Sequence, residues 1–314
     1  MREMKALRDA FGEAVTELGR SNSDIVVLDA DVAHSTKTIL FGKEFPDRFF
    51  NVGIAEGNMV CVAAGLAAAG KIPYASTFSF LITLRAGEQV RTSVAYPKLN
   101  VKICGTYAGL SDSYDGATHQ DVMDIAVMRS MPNMIVVSPA DAVETRKAVF
   151  AIAEYQGPVY LRLSRAEVPI VTDEDTPFAI GKANIMREGG DVTVISTGTM
   201  LAAALDAAEM LSSEGTSARV INMHTVKPLD IDAVVRAAKE TGAIVTVEEH
   251  NIYGGLGGAV AECLSQNCPA PLEVVGIADT FAESGSYPEL LKKYGLTDEH
   301  VYHAVKKVLA RKGR

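Results

Sequence analysis

The chain has 314 residues, of which 48% are hydrophobic and 22% charged, and this is ordinary usage for a globular protein. Its net charge is −9, with acidic and basic residues interspersed and no block of lysine or arginine, which argues against a nucleic-acid-binding protein. No uninterrupted apolar run reaches the roughly 18 residues that a membrane span needs, so we expect a cytoplasmic protein. At roughly 100–200 residues per domain, the length predicts two domains.

The four cysteines form neither a disulfide framework nor a metal pattern. Cys263 and Cys268 lie close together in the sequence, but no nearby histidine completes a zinc-binding motif. Three of the four thiols stand in apolar segments, which is typical of buried free cysteines. We therefore expect no metal site in this chain.

Short β-branched runs alternate with longer helical patterns in the first part of the chain, and the opening residues predict an amphipathic helix. Strands are predicted at 24–32, 72–80, 100–109, 133–140 and 158–164. Helices are predicted at 56–70, 85–96, 119–131 and 141–155, the last of them opened by Asp141. This alternation is typical of βαβ units and predicts a largely parallel sheet.

Residues 166–190 interrupt this pattern with two prolines, an acidic patch and two closing glycines, which indicates a linker. Further strands are predicted at 191–197, 217–223, 243–250 and 272–278, and a helix at 297–312 is capped by Thr297. We therefore predict an α/β protein with two domains, residues 1–188 and 189–314. Each would be a mostly parallel sheet flanked by helices.

Polar side chains gather where the predicted strands of the first domain end. They are Asp29, Asp31, His34, Ser35, Ser76, Thr77, Tyr107, the loop 109–120, Arg162, Ser164 and Arg165, and the aromatic Phe78 stands beside them. In open α/β sheets, ligands bind outside the carboxyl ends of the strands, so this convergence predicts a site there. Taken singly, each residue also allows a structural role: Asp31 as a helix cap, His119 as a group satisfied by backbone, Arg165 as a linker salt bridge.

Glu56 is the one carboxylate in the stretch "RFFNVGIAEGNM" (48–59), and it begins a predicted helix of small apolar residues. A carboxylate in the first turn of a helix is stabilised by the helix dipole, by about 1 kcal/mol at most on a surface. The local pattern therefore supports a capping role and a functional role about equally.

The run "GGLGG" (254–258) resembles a dinucleotide-binding loop, but Val260 replaces the last glycine of the G-x-G-x-x-G pattern. The loop also lies late in the second domain, without an acidic residue at the end of a matching strand. A glycine-assisted turn into a helix explains it better, so a nicotinamide-dependent dehydrogenase is the weakest interpretation.

Eight motifs follow one another along nearly the whole chain. They are "VVLDADVAHSTKT" (26–38), "RFFNVGIAEGNM" (48–59), "ASTFSF" (75–80), "DGATHQ" (115–120), "MPNMIVVSPADAVET" (131–145), "LRLSR" (161–165), "NMHTVKPLD" (222–230) and "VEEHNIYGGLGGAVAE" (247–262). In this order they resemble the C-terminal half of transketolase, and most closely the split form in which two chains share the work of one. The wider thiamine-diphosphate family includes deoxyxylulose-phosphate synthase and the β subunits of 2-oxo-acid dehydrogenases.

The resemblance implies transfer of a two-carbon ketol unit from a ketose or ketose phosphate to an aldose acceptor, with thiamine diphosphate as cofactor. In the family, one domain binds the diphosphate through Mg²⁺ with a Gly-Asp-Gly stretch, which this chain does not contain. The resemblance therefore implies a pyrimidine-binding domain and a transketolase C-terminal domain here. A separate N-terminal-half subunit would carry the Mg²⁺ and diphosphate site, in a two-plus-two heterotetramer.

The resemblance also implies which residues contact the cofactor. Glu56 matches the family's catalytic glutamate, which hydrogen-bonds N1′ of the aminopyrimidine and so promotes removal of the thiazolium C2 proton. Phe78 matches an aromatic residue beside that ring, and Asp31 matches an acid near the cofactor. Leu81 and Leu84 stand where the family usually has further aromatics, which implies aliphatic packing against the pyrimidine.

Six further positions match the family's substrate site. Asp115 and His119 match groups that bind the sugar hydroxyls and the reacting oxygen, which gives His119 a catalytic role as well. Arg8, Ser35 and Arg165 match positions that hold the substrate phosphate, and arginine pairs a phosphate through two hydrogen bonds. Tyr107 stands where transketolases usually place a phosphate-binding histidine.

Other departures lie beside these positions. Gly57 occupies a place where glutamine is common, and "SDSYDG" (111–116) replaces a loop that usually contains glycine and glutamate before the aspartate. The departures cluster at the cofactor face and the substrate entrance. We therefore predict a variant ketose or acceptor rather than a different cofactor.

Two alternatives stay open at this point. One is a 2-oxo-acid dehydrogenase β-like or deoxyxylulose-phosphate-synthase-like subunit, although "DGATHQ" together with "LRLSR" favours transketolase. The other is a non-catalytic assembly or regulatory subunit, against which Glu56, Asp115 and His119 argue, while the departures argue for it. His224 and His250, at strand ends of the second domain, are expected to be structural or interfacial.

Overall fold

The computed structural model describes residues 2–312. The strands, in chain order, are β1 (Met4–Ala6), β2 (Ile25–Asp29), β3 (Phe49–Asn51), β4 (Ile72–Phe78), β5 (Lys102–Thr106), β6 (Ile135–Val137), β7 (Val159–Arg162), β8 (Glu167–Pro169), β9 (Asn184–Arg187), β10 (Val192–Ser196), β11 (Ala218–Asn222), β12 (Thr225–Lys227), β13 (Ile244–Asn251) and β14 (Leu272–Ile277). All nine predicted strands are present, and most are shorter than predicted. The five others have three or four residues each, too few to show an alternating pattern.

The helices alternate with the strands over most of the chain. They are α1 (Leu7–Ser21), α2 (Ala33–Thr36), α3 (Ile39–Glu44), α4 (Glu56–Ala68), α5 (Gly87–Gln89), α6 (Asp124–Ser130), α7 (Ala142–Glu154), α8 (Leu201–Ser213), α9 (Ile231–Thr241), α10 (Leu256–Asn267), α11 (Tyr287–Lys293) and α12 (Asp298–Arg311). Across residues 2–312, none is long and apolar enough to cross a membrane.

Two predicted helix starts can be compared with the structure. Asp141 caps α7, since its carboxylate accepts a hydrogen bond from the Glu144 backbone N–H at 3.0 Å. Thr297 occupies the N-cap position of α12 but makes no capping hydrogen bond; its hydroxyl lies 2.7 Å from His300 Nδ1 instead.

The first sheet has seven strands in the order β12-β6-β7-β5-β4-β2-β3, all parallel to their neighbours except β12. The second has five in the order β14-β13-β10-β11-β9, all parallel except β9. Apolar clusters cover both faces of each sheet, as the near-continuous hydrophobic runs of parallel strands require. The carboxyl ends of β7, β5, β4, β2 and β3 therefore lie side by side along one edge.

The sheets themselves do not separate at residue 189, where the sequence places the domain boundary. β9 precedes that point yet pairs with β11 in the second sheet. β12 follows it yet returns to the edge of the first sheet, beside β6. The predicted linker also contributes β8, which pairs with β1 near the amino terminus. The two halves are therefore joined by exchanged edge strands, which a composition change at one point cannot reveal.

The predicted helix at 85–96 is wrong in type and extent. The structure has π-helical turns at Leu81–Arg85 and Val90–Ala95, with the short α5 between them. Thr83 fastens the first turn, because its hydroxyl donates to Asp121 Oδ2 at 2.6 Å. A hydrophobic period does not distinguish α- from π-helical turns, and π-helical turns occur frequently at functional sites.

Candidate active site

Glu56 is the first residue of α4, and it points into the protein rather than capping the helix. Its residue is only 2% exposed, and no backbone N–H of α4 donates to its carboxylate. Arg85, which is more than half exposed, donates from Nη1 to both carboxylate oxygens at 3.0 and 3.2 Å. Glu56 therefore makes no capping hydrogen bond, and its hydrogen-bond partner among the described residues is the solvent-facing Arg85.

Phe78 is the last residue of β4, and Tyr107 directly follows β5. Their rings stack with centroids 4.2 Å apart. Tyr107 has a positive φ of 62°, which turns its side chain back over the sheet edge. Two guanidinium groups lie over the Tyr107 ring: Arg8 at 5.2 Å and Arg165 at 5.3 Å from its centroid. Residues distant in sequence thus form one aromatic and cationic cluster.

Arg8 connects this cluster to α2. Its Nη1 donates to the Tyr107 hydroxyl and to the backbone oxygen of Ser35, the latter at 3.1 Å. Its Nε is buried and has no partner among the described residues. A buried donor without an acceptor is costly, and an anionic ligand would satisfy it.

The loop between β5 and α6 carries two carboxyl groups with different surroundings. Asp115 is exposed, whereas Asp112 is fully buried. Arg165 Nη1 donates to the Asp112 backbone oxygen at 2.8 Å and lies 3.5 Å from its Oδ1. Burial, together with hydrogen bonding and charge repulsion from Asp115, raises the pKa of Asp112 to about 8.

His119 lies at the end of the same loop, partly exposed, with its ring 5.0 Å from the ring of Phe80 and 6.4 Å from that of Phe78. Thr118 Oγ1 lies 3.0 Å from its Nδ1, and Nε2 has no hydrogen-bond partner in the described part of the chain. The His119 ring therefore lies beside Phe78 and Phe80, with its Nε2 free to bind a ligand.

Asp31 lies apart from the arginine cluster. Asn51, at the end of β3, makes two hydrogen bonds of 3.1 Å with Asp31. Its side-chain amide donates to Asp31 Oδ1, and its side-chain oxygen accepts from the Asp31 backbone N–H. The φ of Asp31, 66°, is left-handed, and Asp31 caps no helix. The neighbouring Asp29 is the buried acid, bonded by Thr36 and Thr38, and burial raises its pKa.

Leu81 and Leu84 lie on the first π-helical turn, with Leu81 buried and Leu84 half exposed. Gly57 faces the side chain of Gln89, whose Oε1 would lie 3.1 Å from a Cβ added at that glycine. A glutamine already occupies this space from another segment, so a longer side chain at residue 57 would displace it. The sequence alone did not reveal this contact.

Three features escaped the sequence patterns. They are Arg85 beside Glu56, buried Asp112 beneath Arg165, and buried Glu249 on β13. Glu249 contacts the substrate loop, by which we mean the segment 107–123 between β5 and α6 that carries the predicted substrate residues Asp115 and His119. The sequence gives little indication that Arg85 contacts Glu56, because an arginine is common on a predicted helix. In the sequence, Asp112 is an acid in a predicted loop and Glu249 is an acid near the end of a predicted strand. Only the packing shows that both are buried.

The turn before α10 is not a nucleotide site. Glu248 accepts hydrogen bonds from the backbone N–H groups of Leu256 and Gly257 at 2.7 and 2.8 Å. A Cβ added at Gly255 would lie 2.0 Å from Glu248 Oε2, so the glycine makes room for this carboxylate. Because the helix start is already filled by an internal anion, it cannot receive a dinucleotide phosphate, and the dehydrogenase interpretation is excluded.

Two of the four histidines of the second domain, His224 and His250, are buried. His224 stacks on Phe178 with ring centroids 4.2 Å apart, and burial lowers its pKa to about 4. His250 Nε2 accepts a hydrogen bond from the Ala126 backbone N–H at 3.3 Å, which joins α6 of the first domain to the second sheet. Neither reaches the edge where the candidate site lies.

Two family models match the chain. The pyrimidine-binding domain of transketolase matches residues 3–171, and the C-terminal domain of transketolase matches residues 181–301. The chain belongs to the transketolase family.

Relatives of the same length show which kind of transketolase this is. A putative transketolase C-terminal section from Methanocaldococcus jannaschii is 48% identical over 300 residues, which is 95% of this chain and 94% of the relative. The 6-deoxy-6-sulfo-D-fructose transketolase subunit SqwH from a Clostridium species is 44% identical over 306 residues, 98% of this chain and 95% of the relative. Both are subunits or sections rather than full-length transketolases.

A solved structure agrees with this assignment. The structure described as a split gene transketolase, inactive beta4 tetramer, is 50% identical and superposes with a TM-score of 0.91, over 98% of this chain and 99% of that one. The chain is therefore a transketolase subunit of the split kind, a member of a transferase family. Its family and its pyrimidine-binding domain imply binding of thiamine diphosphate.

Proposed function

We propose that this subunit, joined to a chain that carries the diphosphate-binding domain, transfers a two-carbon ketol unit from a ketose with an anionic end to an aldose acceptor. The observation that carries the proposal is one sheet edge that holds both a buried acid, Glu56, and a cluster of two arginines over an aromatic ring. The acid serves the cofactor, and the arginines serve the substrate.

The residues present fit the aminopyrimidine of thiamine diphosphate. Glu56 is buried among apolar residues, has no backbone donor, and is held only by a half-exposed arginine that can move away. Phe78 ends β4 and Leu81 begins the π-helical turn that carries Arg85, so they offer an aromatic and an aliphatic surface, while Leu84 and Asp31 are exposed. When bound, the cofactor supplies an electron sink for the two-carbon unit.

The proposed task of Glu56 is to hold a proton between its carboxylate and N1′ of the aminopyrimidine. A carboxylate can perform this role only where water does not compete, and the buried start of α4 provides such a place. His119, with its free ring nitrogen at the entrance, would exchange a proton with the reacting oxygen of the sugar. Asp115 would accept hydrogen bonds from sugar hydroxyls.

The arginine cluster sets the substrate class that we propose. Arg8 has a buried donor without a partner, and Arg165 is partly exposed beside the same tyrosine ring. Ser35 and Tyr107 complete the group, through the hydrogen bonds that Arg8 makes to them. One relative is named for a sugar that carries a sulfonate, and sulfonate and phosphate share the oxyanion chemistry that guanidinium groups bind.

We propose that Mg²⁺ and the cofactor diphosphate are bound by the partner chain, and that two copies of each subunit assemble in the cytoplasm. The family models matched here are the pyrimidine-binding and C-terminal domains, which supports a division of the cofactor site between chains. A related split subunit is described as an inactive tetramer of its own kind, which supports both self-association and the need for a partner.

Co-expression with the product of the adjacent gene tests the proposal. The purified pair should bind thiamine diphosphate with Mg²⁺ in a calorimetric titration and turn over a ketose phosphate or sulfonate, whereas this chain alone should do neither. Native mass spectrometry of the pair gives the stoichiometry. Tight cofactor binding by the isolated chain would contradict the shared site, and turnover of neutral ketoses alone would contradict the anionic substrate.

A further inference from the structure

A buried acid lies beneath the arginine cluster, in a position that the proposed function does not use. Asp112 has no exposed surface, and apart from the neighbouring acid Asp115 no side chain or backbone group of the described residues hydrogen-bonds its buried Oδ2. Its Oδ1 and its backbone oxygen both face Arg165 Nη1. Leaving a carboxylate oxygen unsatisfied costs free energy, so a structural role alone explains the residue poorly.

Four charged groups meet around this position. Arg165 follows β7, Arg8 lies on α1, and Asp112 and Asp115 share the substrate loop. The two guanidinium groups and the exposed Asp115 leave one positive charge when Asp112 is protonated, and none when Asp112 is ionised. The electrostatic attraction for a substrate anion therefore depends on this one buried proton.

We propose that Asp112 is a specificity-determining residue whose charge state sets how strongly Arg165 and Arg8 attract the anionic end of the substrate. This inference rests on the proposed function, because it takes the arginine cluster as the substrate's anion site. When Asp112 is protonated, its side chain no longer competes for Arg165, and the two guanidinium groups attract a dianion. When Asp112 is ionised, it competes with the substrate anion for Arg165, and the enzyme then favours less charged or neutral sugars.

The direction of the pH dependence follows from the surroundings of the acid. Burial and Asp115 favour the protonated form and raise the pKa of Asp112 to about 8, while Arg165 and Arg8 act in the opposite direction. The proton is therefore bound at neutral pH and lost above pH 8. A phosphate monoester is fully dianionic above pH 7, since its second pKa is about 6, so the substrate does not titrate in this window.

The test compares a ketose phosphate with the same ketose lacking the phosphate, using the assembled two-subunit enzyme between pH 7.5 and 9. In the wild-type enzyme, kcat/KM for the ketose phosphate divided by kcat/KM for the ketose should fall about fivefold or more between pH 7.5 and 9. Well above the pKa of Asp112, this ratio should fall by nearly tenfold per pH unit. Asp112→Asn should keep the ratio constant, and Asp47→Asn, at an exposed position, should retain the wild-type fall. A wild-type ratio that does not change with pH, or one that Asp112→Asn leaves falling, would overturn the proposal.

A binding measurement keeps the inference separate from the proposed function. Sulfate is dianionic throughout this range, so its calorimetric dissociation constant for the assembled wild-type protein should rise about fivefold between pH 7.5 and 9. A pH-independent constant overturns the role of Asp112, even if Asp112→Asn does not fold. If sulfate binding follows the expected pH dependence but no ketose is turned over, the proposed function fails while the anion site stands.

Discussion

Glu249, on β13 of the second sheet, accepts a hydrogen bond from the backbone N–H of Leu110 at 2.6 Å, across the junction between the two domains. The same carboxylate accepts from the hydroxyls of Thr199 and Tyr287 at 2.8 and 2.7 Å. Arg162 Nη2 donates to the Glu249 backbone oxygen at 2.8 Å. The C-terminal domain therefore holds the start of the substrate loop through one buried carboxyl group.

Two more contacts reach the same loop from the C-terminal domain. Ser284 Oγ donates to the Tyr114 backbone oxygen at 2.5 Å, and Gln120 Nε2 donates to the Glu283 backbone oxygen at 3.1 Å. The loop that carries Asp112, Asp115 and His119 is thus fixed at its start, middle and end by another domain. This gives the C-terminal domain a physical connection to the site.

Replacing Glu249 should weaken the domain junction strongly. Glu249→Ala leaves three donors without an acceptor, whereas Arg162 keeps Asp124 as its countercharge, so we expect a loss of about 3–5 kcal/mol in the free energy of unfolding. Glu249→Gln keeps one acceptor and should lose less. Urea unfolding measures both, and Glu209→Ala, at an exposed ion pair, should change stability by less than about 1 kcal/mol. Equal effects at residues 249 and 209 would refute the role of the junction.

Gly109 should not tolerate a side chain. Its φ is 66°, and an added Cβ would lie 2.3 Å from Glu249 Oε1. Gly109→Ala should therefore cost backbone strain of about 1–3 kcal/mol and also displace Glu249, which should raise KM for the substrate. Gly70→Ala is the matched control, because Gly70 also has a positive φ but nothing lies within 4 Å of the added Cβ. Equal losses of stability in the two variants would show that the contact with Glu249 has no cost.

Glu56→Gln should abolish turnover without preventing assembly. The amide cannot hold the proton that the carboxylate shares with the aminopyrimidine, so kcat should fall by about 10²–10⁴-fold. Thermal unfolding should be nearly unchanged, because the Arg85 partner is half exposed and such pairs contribute about 1 kcal/mol or less. Glu88→Gln, an uninvolved acid on α5, is the control. Residual activity within threefold of wild type would remove Glu56 from the catalytic role.

His224 should make the protein less stable in mild acid. Burial lowers its pKa to about 4 from an ordinary value of 6.5, so the unfolded chain binds this proton between pH 6.5 and 4 while the folded chain does not. The stability present above pH 6.5 is therefore lost as pH falls through 4, by roughly 3 kcal/mol. Urea unfolding across this range measures the loss.

A substitution isolates this contribution from other acid effects. His224→Phe keeps a ring stacked on Phe178 and should reduce the pH slope between 6.5 and 4. His303→Phe, at an exposed position, should leave the slope as it is in the wild type. If both variants keep the full slope, the acid sensitivity lies elsewhere in the protein.

The sequence predicts the fold well where apolar runs are long. β2 and β13 begin with runs of β-branched and other apolar residues, at 25–28 and 244–247, and such runs have few other stable arrangements. β12 and β9 have three and four residues, so their membership of opposite sheets depends on edge pairing rather than on local pattern. The sequence predicts one helix over 85–96 and so misses most of the π-helical turn at Leu81–Arg85; it takes the turn at Val90–Ala95 for α-helix because both kinds of turn present similar apolar spacing.

The site divides in the same way. The sequence by itself determined which residue types follow the strands of the first sheet, and so the edge where Glu56, Phe78, Tyr107 and Arg165 lie, because parallel strands bring their carboxyl ends together. It could not determine which acids are buried. Only the tertiary structure sets Arg85 on Glu56 and covers Asp112 and Glu249, because burial and charge pairing arise between segments far apart in the chain.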